Sequence, residues 1–417
     1  MFVAPNTFRH SRARVEEGNR TLLERARSLA PGLVALRRDL HRHPELAFQE
    51  RRTSALVASR LEALGLSVRR NVGKTGVVAD ISSTEGANFP LVALRADMDA
   101  LPIQEQFEHD YGSTVPGVMH ACGHDFHTAG LIGAATLLVA ERAAGRLPAG
   151  TVRLLFQPSE ESLDDEGKSG ATRMIEEGAL DDVTAIVGLH VGGHLPSGKL
   201  FIAEGSIMAG SEEIHVEVKG RSAHAAHPEQ GIDALVLASQ GVMAVQQAVA
   251  RAISPMDPGV VTFGMIHGGT ANNVLADSVK LHGTLRYFRD EVRDRLAAAV
   301  TAAFKALEVQ GARVDIQIGQ GYLPVVNDPG VTDVVTRAAE RVLGKDAVLP
   351  MQRWMGAEDF AFLARRSAGC FVWLGAALPE PRDHHHPRFD VDESALPMGA
   401  ALLAASASDL LARGATR

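Results

Sequence analysis

Two spacings of apolar residues alternate along this chain and predict a protein that contains both helices and strands. Spacings of three and four residues predict helices over 22–40 (interrupted at Pro31), 50–64, 129–140, 168–177, 231–252, 291–309, 330–343, 358–364 and 396–411. Short apolar or alternating runs predict strands over 76–81, 90–95, 152–156, 184–189, 211–219, 260–266, 278–287, 313–318 and 370–374. The fold class predicted by this pattern is α/β.

The order of these elements divides the chain into two domains. A chain of 417 residues is too long for a single hydrophobic core. Residues 210–320 follow the order β-α-β-β-α-β, which is typical of a ferredoxin-like unit. We therefore predict a catalytic domain formed by residues 1–209 and 321–417, with residues 210–320 as an inserted domain.

Composition and charge remove several classes of function. Hydrophobic residues make up 46% and charged residues 22% of the chain, as in ordinary soluble proteins. The net charge of -8 favours neither nucleic acid nor an anionic membrane as a partner. The two cysteines, Cys122 and Cys370, do not indicate a disulfide framework. Without an apolar signal segment or a run that approaches a membrane span, we expect a cytoplasmic protein.

Side chains that can bind a metal ion are most frequent in residues 119–128, where a cysteine, an aspartate and three histidines lie directly before a predicted helix. Cys122 and His124 are two residues apart around a glycine, so in an extended loop both side chains point to the same side. Thiolate and imidazole are ligands that zinc and similar divalent ions prefer. The alternative is a helix start with a buried free cysteine and capping groups.

Potential ligands also follow three predicted strands. Asp97 and Asp99 follow strand 90–95, and a Gln-Pro-Ser-Glu-Glu segment that ends in Glu160 and Glu161 follows strand 152–156. His190 follows strand 184–189. Each alone is compatible with an ordinary turn or a solvated acidic pair. Together they match an α/β site, because such sites lie at the carboxyl ends of strands.

Polar groups also occur in the inserted domain and near the C-terminus. His224, Asn273 and Arg286 lie in or beside glycine-rich segments and could bind a carbonyl oxygen and a carboxylate. The run His384 to His386 precedes a complete helix, which indicates a final metal ligand rather than a tag. The sequence thus predicts a metal site, together with groups that could bind a carbonyl oxygen and a carboxylate.

In their order along the chain, these segments resemble the M20 metallopeptidase family, and within it the amidohydrolase branch. This branch includes hippurate hydrolases, N-acyl-amino-acid amidohydrolases, indole-acetyl-amino-acid hydrolases and aminobenzoyl-glutamate hydrolase. The resemblance rests on the segments LHRHPEL, RADMDALP, MHACGHD, FQPSEE, GLH, SAHAAHP, GGTANNV, GTLR, GAEDF and HHPRFDVDE. It implies a mixed-sheet, zinc-peptidase-like catalytic domain with an inserted ferredoxin-like lid.

The resemblance also implies a dinuclear centre with two divalent metal ions per subunit. The ions would be zinc or manganese, with cobalt and nickel as further options. The implied ligands are Cys122, His124, Glu161, His190 and His385. His385 is preferred to its two histidine neighbours because the family's last ligand stands two residues before the proline, here Pro387.

The remaining implied roles concern catalysis and substrate binding. Glu160 matches the general base, and Asp99 matches the acid that supports the metals. His224 matches the lid histidine, Asn273 an oxyanion or substrate contact, and Arg286 a binder of the substrate carboxylate. In some relatives the lid contact crosses a dimer, so the resemblance also implies a homo-oligomer, either a dimer or a tetramer.

These roles imply hydrolysis of an N-acyl amino acid, with a carboxylic acid and an amino acid as products. One alternative is a carboxypeptidase or dipeptidase on the same scaffold. Another is a non-catalytic metal-binding module, although a structural metal site does not need a free carboxylate such as that of Glu160. Phe126 and His194 depart from the branch pattern, and we expect them to reshape the substrate pocket.

Overall fold

The computed structural model describes residues 21–83, 89–106 and 109–414, which form two compact units. The first unit contains the described residues of Met1–Gly205, Val326–Gln352 and Phe362–Arg417. The second contains Ser206–Val325 and Arg353–Ala361. The predicted insertion, 210–320, lies within the second unit, which also includes residues that the sequence assigned to the catalytic domain.

Nine strands and seven helices of the described residues lie mainly in the first unit. The strands are β1 (Val68–Val72), β2 (Gly76–Ser82), β3 (Leu91–Asp97), β4 (Thr151–Gln157), β5 (Ala185–Gly192), β6 (Leu200–Ile202), β12 (Val325–Asn327), β13 (Val348–Pro350) and β14 (Ala368–Gly375). The helices are α1 (Leu22–Arg42), α2 (Arg51–Ala63), α3 (His124–Ala143), α4 (Gly170–Glu176), α7 (Pro329–Leu343), α8 (Phe360–Arg366) and α9 (Leu396–Gly414).

Eight of these strands form one mixed sheet with the order β1-β2-β4-β3-β5-β14-β6-β13. Its four central strands, β4, β3, β5 and β14, are parallel. Asp97 is opposite Gln157, and His190 is opposite Trp373. Parallel pairing therefore brings the residues that follow β3, β4 and β5 to one edge of the sheet.

The helices α3 and α9 pack on the sheet, and α1 packs on both of them, through a continuous hydrophobic core. α1 continues through Pro31, where the sequence predicted an interruption. Its buried residues include Leu33, Leu36 and Leu40, so packing maintains the helix although proline removes one backbone donor.

Among the described residues, the segment Glu393–Gly414 is apolar and long enough to cross a membrane by length and composition, and 78% of its apolar 18-residue window is buried inside the protein. The sequence-based statement that no run approaches a membrane span is therefore wrong for this segment. The run is apolar on all sides because α9 is a core helix that packs against α1, α3 and α7.

The second unit has the predicted β-α-β-β-α-β order. It consists of β8 (Gly210–Lys219), α5 (Ala234–Ala252), β9 (Gly259–Gly268), β10 (Ser278–Tyr287), α6 (Asp290–Lys305) and β11 (Arg313–Tyr322), and β7 (Gly205–Met208) precedes it. The sheet is antiparallel with the order β11-β8-β10-β9. Both helices pack on one face through a core of its own, so this unit is ferredoxin-like.

Candidate metal centre

The cysteine-histidine segment is held at the start of α3 by a glycine. The helix begins at His124, and its N-cap Gly123 has a φ of 91°. A Cβ atom at this position would lie 2.3 Å from Cγ1 of Val191 on β5, so the close approach requires glycine. The prediction that His124 lies in an extended loop is therefore wrong, because the helix already includes it.

Cys122 is the residue shared by two groups of potential ligands. One group combines it with His124 and His190, and the other with Glu161 and His385. Within each group the ligand atoms lie within 4.8 Å of one another, and Cys122 Sγ is 3.5 Å from Nε2 of His190. The structure thus brings together all five ligands that the sequence predicted.

Two buried atoms of this cluster make no hydrogen bond within the described part of the chain. They are Nε2 of His124 and Oε1 of Glu161, which lie 3.8 Å apart. Nε2 of His385 lies 3.2 Å from the same glutamate oxygen. Buried polar atoms normally have partners. Nitrogen and oxygen atoms that converge in this way without hydrogen bonds are what a bound divalent ion would satisfy, so the residues fit a metal centre.

The electrostatics of the cluster also favour a cation. Burial opposes protonation of His124, yet the carboxylates of Asp97, Asp99 and Glu161 raise its pKa to about 10. Burial, followed by the charge of Glu161, raises the pKa of the Cys122 thiol well above its usual value. The shift at His124, and the smaller part of the shift at Cys122 that follows burial, come from neighbouring carboxylates, whose negative charge a divalent ion would neutralise and so allow the thiolate to form.

His190 is held as a neutral ligand. Burial, followed by the neighbouring His127 and His384, lowers its pKa well below the usual value. Its Nδ1 donates to the backbone oxygen of Val191 at 2.9 Å, which leaves Nε2 facing Cys122. The ring also stacks on Trp373 with 4.4 Å between centroids. The tautomer and the orientation are therefore those of a metal-binding imidazole.

Asp99 orients three members of the site at once. Its Oδ1 accepts a hydrogen bond from the backbone N–H of Glu160, and its Oδ2 accepts one from that of Glu161, both at 3.0 Å. Nδ1 of His124 donates to the backbone oxygen of Asp99 at 2.9 Å and lies 3.2 Å from Oδ1. Asp99 therefore fixes the glutamate turn relative to α3, in the manner of a carboxylate behind a metal ligand.

A second aspartate supports the same strands through His127, to which the sequence analysis gave no role of its own. Nδ1 of His127 lies 2.6 Å from Asp97, and its Nε2 accepts from the backbone N–H of Val191 at 2.8 Å. Burial would raise the pKa of Asp97, but Arg95, His124 and His127 together lower it well below its usual value. The contact joins the ends of β3 and β5.

The three consecutive histidines have different surroundings. His385 has a φ of 64°, its backbone N–H donates to the oxygen of Ala121 at 2.8 Å, and its ring reaches Glu161. His384 instead donates from Nε2 to the oxygen of Val191 at 2.9 Å. Nδ1 of His386 accepts from the backbone N–H of Arg388. Of the three, His385 is the one that joins the cluster.

Glu50 is a buried acid that the sequence analysis did not single out. Its Oε1 accepts from the backbone N–H of Ser159 at 2.9 Å, and its Oε2 accepts from the hydroxyl of Thr75 at 2.5 Å. Ser159 has a φ of 45°, an unusual conformation, and directly precedes Glu160. Burial, followed by the charge of Asp99, raises the pKa of Glu50 to about 7. Glu50 therefore holds the turn that presents Glu160.

We expect Glu50→Ala to lower kcat by about 10- to 100-fold, because it leaves Ser159 N–H without its acceptor and loosens the turn. Glu50→Gln should retain most activity, since an amide oxygen can still accept that bond. The matched control is Glu45→Ala, because Glu45 also accepts backbone bonds, from Arg52 and Thr53, away from this turn. Steady-state kinetics with metal content measured in parallel would check this, and equal losses in both alanine variants would contradict it.

The sequence also did not reveal a buried network of charged and polar side chains that contacts the first turn of α3. Arg37 lies 2.8 Å from both Asp125 and Asp390, and Nδ1 of His41 lies 2.7 Å from Asp125. Tyr111 donates to Asp390 at 2.6 Å. Burial would raise the pKa of Asp125, but Arg37 and His41 lower it. The network fixes the first turn of α3 to α1 and to the segment after the histidine run.

In the second unit, His224 and Asn273 lie on neighbouring loops. His224 forms a bridge with Val274, and the backbone N–H of Ala225 donates to the oxygen of Asn273 at 3.0 Å. Both predicted residues are exposed. Nδ1 of His224 accepts from the N–H of Ala226, which leaves Nε2 available to a ligand.

Arg286 lies at the other end of the same sheet. It is on β10 opposite Ser211 and Val260, whereas the loop with Asn273 leads into the start of β10 at Ser278. At about 3.4 Å per residue, these ends of the strand are roughly 25 Å apart. Burial lowers the pKa of Arg286, and its side chain has no ion pair or hydrogen bond with the described residues.

Of the two residues expected to reshape the pocket, only His194 is an exposed residue beside the segment that carries the last predicted metal ligand. Phe126 is 1% exposed and belongs to the hydrophobic core, so its effect on the pocket would act through packing and stays a prediction. His194 is exposed, and its ring centroid lies 5.6 Å from that of His384 and 6.1 Å from that of Trp373.

Comparison with known proteins agrees with this geometry. Residues 93–409 match peptidase family M20/M25/M40. The chain is 38% identical over 386 residues to the N-acetyl-L-cysteine deacetylase of Bacillus subtilis, covering 92% of this chain and 89% of that protein. It is 38% identical over 407 residues to the IAA-amino acid hydrolase ILR1-like 2 of Arabidopsis thaliana, covering 95% and 89%.

A solved structure extends the likeness to the whole fold. The YXEP protein of Bacillus subtilis, a dinuclear metal binding peptidase from the M20 family, superposes with a TM-score of 0.80 at 35% identity. The superposition covers 93% of this chain and 99% of that protein. The predicted two-domain fold class is thereby confirmed, as is the predicted resemblance. The chain is a hydrolase of peptidase family M20/M25/M40.

Proposed function

We propose that this enzyme hydrolyses the amide bond of N-acyl amino acids whose acyl group is acetyl, benzoyl or a similar aryl group. The observation that carries the proposal is a pair of buried atoms without a hydrogen bond among the described residues, Nε2 of His124 and Oε1 of Glu161, next to a second buried glutamate, Glu160. Support also comes from two relatives of 38% identity, whose names specify an N-acetyl amino acid and IAA-amino acids.

We propose that the two groups that share Cys122 hold two divalent ions per subunit. Zinc and manganese are the first choices, since a thiolate favours zinc, while cobalt and nickel suit the same imidazoles. Ions bound there would lower the pKa of a bound water and polarise the amide carbonyl. Cys122 as a shared ligand and the neutral His190 are the chain's own contributions to that centre.

Glu160 is the proposed general base. It is buried, and its backbone N–H is fixed by Asp99, so its position relative to the ligands is set before substrate arrives. Its carboxylate would take the proton of the attacking water and then pass it to the nitrogen of the leaving amine. Asp99 keeps the turn in place and is therefore a positioning residue.

Residues of the second unit are proposed to bind the substrate. His224 and Asn273 would donate hydrogen bonds to the carbonyl oxygen, where negative charge develops in the transition state. Arg286 would bind the carboxylate of the amino acid. The half-buried guanidinium without a partner among the described residues suits this role, because a buried cation gains from a carboxylate ligand.

The distance within the second unit supports the proposed homo-oligomer. Arg286 and the pair His224 and Asn273 are about 25 Å apart along one sheet, which exceeds the length of an acyl amino acid. One copy of the second unit therefore cannot contact a single substrate with all three. A second copy would complete each site with its own His224, as a two-fold dimer allows.

The surface of the second unit offers an interface for this dimer. β9 is an edge strand whose Met265 and Ile266 are 50% and 52% exposed. α5 also exposes Leu235, Val236 and Met243. An apolar edge strand of this kind is a template for pairing with another chain. We propose that two copies pair through β9 and α5.

We expect Met265→Lys combined with Met243→Lys to convert a dimer to monomers in light scattering and to lower activity, because the partner's His224 is lost. Val309→Lys is the matched control, since this 92% exposed valine lies beside the opposite edge strand.

Mixing Glu160→Gln with His224→Ala protein tests the shared site directly. Random hybrids should recover about a quarter of wild-type activity, and no recovery would contradict a partner-supplied His224.

The substrate class can be tested with purified protein on acetyl, benzoyl and indoleacetyl amino acids beside plain dipeptides, with zinc or manganese added. The proposal predicts metal-dependent cleavage of the acyl amino acids. Cleavage of dipeptides alone would favour the peptidase alternative, for which the YXEP peptidase is the precedent. No turnover with any metal would favour a non-catalytic module.

A cytoplasmic location and the absence of nucleic-acid or membrane partners stay predictions.

A further inference from the structure

Two histidines face each other on the second unit's sheet, outside the proposed catalytic and substrate-binding residues. His215 on β8 is directly opposite His282 on β10, and their rings stack with 4.0 Å between centroids at an angle of 25°. Ile214 and Val216, on either side of His215, are buried in the core under the helices. The histidines therefore lie on the sheet face turned away from α5 and α6.

A carboxylate joins the two rings on that face. Glu213 precedes His215 by two residues, so it points to the same face. Its Oε2 lies 3.0 Å from Nε2 of His215 and 3.2 Å from Nε2 of His282. The three ligand atoms all lie within 4.8 Å of one another.

The two distances from Glu213 are compatible with a tetrahedral metal ion, and the exposed, stacked rings would turn so that both Nε2 atoms point at it. Bonds of about 2.0–2.2 Å to nitrogen and oxygen place tetrahedral ligand atoms roughly 3.3 Å apart, close to the spacings around Glu213. The side chains of His215 and His282 are 47% and 39% exposed, so an ion can reach them from solvent. An adjacent cavity of about 270 Å³, lined by both histidines, leaves room for a water as the fourth ligand.

We propose that Glu213, His215 and His282 form a further metal site, separate from the Cys122 cluster, that binds one divalent transition-metal ion. Two imidazoles and one carboxylate select zinc, copper, nickel or cobalt over calcium and magnesium, which prefer oxygen ligands. The ion would link β8 to β10 and stabilise the folded second unit by mass action. It has no part in the proposed hydrolysis.

The test measures zinc bound by the full chain after equilibrium dialysis, using elemental analysis. Wild type should bind one equivalent more than His215→Gln or His282→Gln, and the variants should keep wild-type kcat when the catalytic centre is loaded. His267→Gln is the matched control, because His267 lines the same cavity but is not in the ligand group. It should bind as much zinc as wild type.

A spectroscopic measurement keeps the test independent of those variants. Cu²⁺ added to a zinc-loaded Glu213→Gln protein should bind more weakly than to wild type, and the wild-type Cu²⁺ signal in electron paramagnetic resonance should show coupling to two imidazole nitrogens. Equal zinc content in wild type and His282→Gln would overturn the proposal and leave Glu213 as a hydrogen-bond acceptor only. Loss of one equivalent in His267→Gln would also overturn it.

Discussion

Replacing Glu160 by glutamine is expected to lower kcat of amide hydrolysis by about 10²- to 10⁴-fold, because the amide cannot accept the proton of the attacking water. The shape of the side chain is kept, and the backbone bond from residue 160 to Asp99 does not depend on the carboxylate. Metal content should therefore stay at the wild-type level. The measurement is kcat on an N-acyl amino acid together with elemental analysis of the same sample.

Glu166→Gln is the control for this prediction. Glu166 lies in the same acidic segment but is 65% exposed and pairs with Lys168 and Arg173 on the surface. Its replacement should change kcat by less than twofold, since surface ion pairs contribute little. A loss of metal in Glu160→Gln would show that Glu160 is a ligand rather than the base.

Replacing Cys122 by alanine should remove the ligand shared by both groups and abolish activity, with a loss beyond the roughly 10- to 100-fold that residues behind the ligands cause. Bound metal should fall below two equivalents. Burial, followed by the charge of Glu161, raises the pKa of the Cys122 thiol strongly, so the thiolate would form only when an ion binds to it. The alanine variant lacks this thiolate and should therefore lose the ion that it holds. Elemental analysis and steady-state kinetics of the purified variant give both readings.

The second cysteine provides the matched control. Cys370 is also buried but lies within β14, where its sulfur is 3.7 Å from the hydroxyl of Thr332. Cys370→Ala should cost about 1–3 kcal/mol of stability through a small cavity, while metal content and kcat persist. Equal metal loss in both variants would show that Cys122→Ala acts through folding and not through ligation.

The main features of the site could be predicted because they follow from strand order and spacing. Asp99 and Glu161 follow strands, whereas His190 lies within the last residues of β5, which extends further than predicted, and parallel pairing must bring such positions to one edge. The periodicity also predicted the ferredoxin-like order of the second unit. Short strands such as β1 and β13 were missed, since runs of three to five residues carry little periodic signal.

Contacts that depend on tertiary packing could not be read from the pattern. Arg37 and Asp390 are 353 positions apart, and nothing in their local sequence links them. The role of Glu50 depends on the unusual φ of Ser159, which only the folded turn reveals. Arg286 and Asn273 looked like one group because they share a domain, but the direction of β10 separates them.

A metal titration is the sharpest test of our proposal that the Cys122 cluster is a two-metal hydrolytic centre. Chelated protein would be titrated with manganese or zinc while bound metal and hydrolysis of one acyl amino acid are followed together, in wild type and in the His282→Gln background. We expect no turnover without metal and full turnover when two equivalents are bound in His282→Gln. Full activity in the chelated protein, or two bound equivalents without any turnover on the acyl amino acid panel, would contradict it.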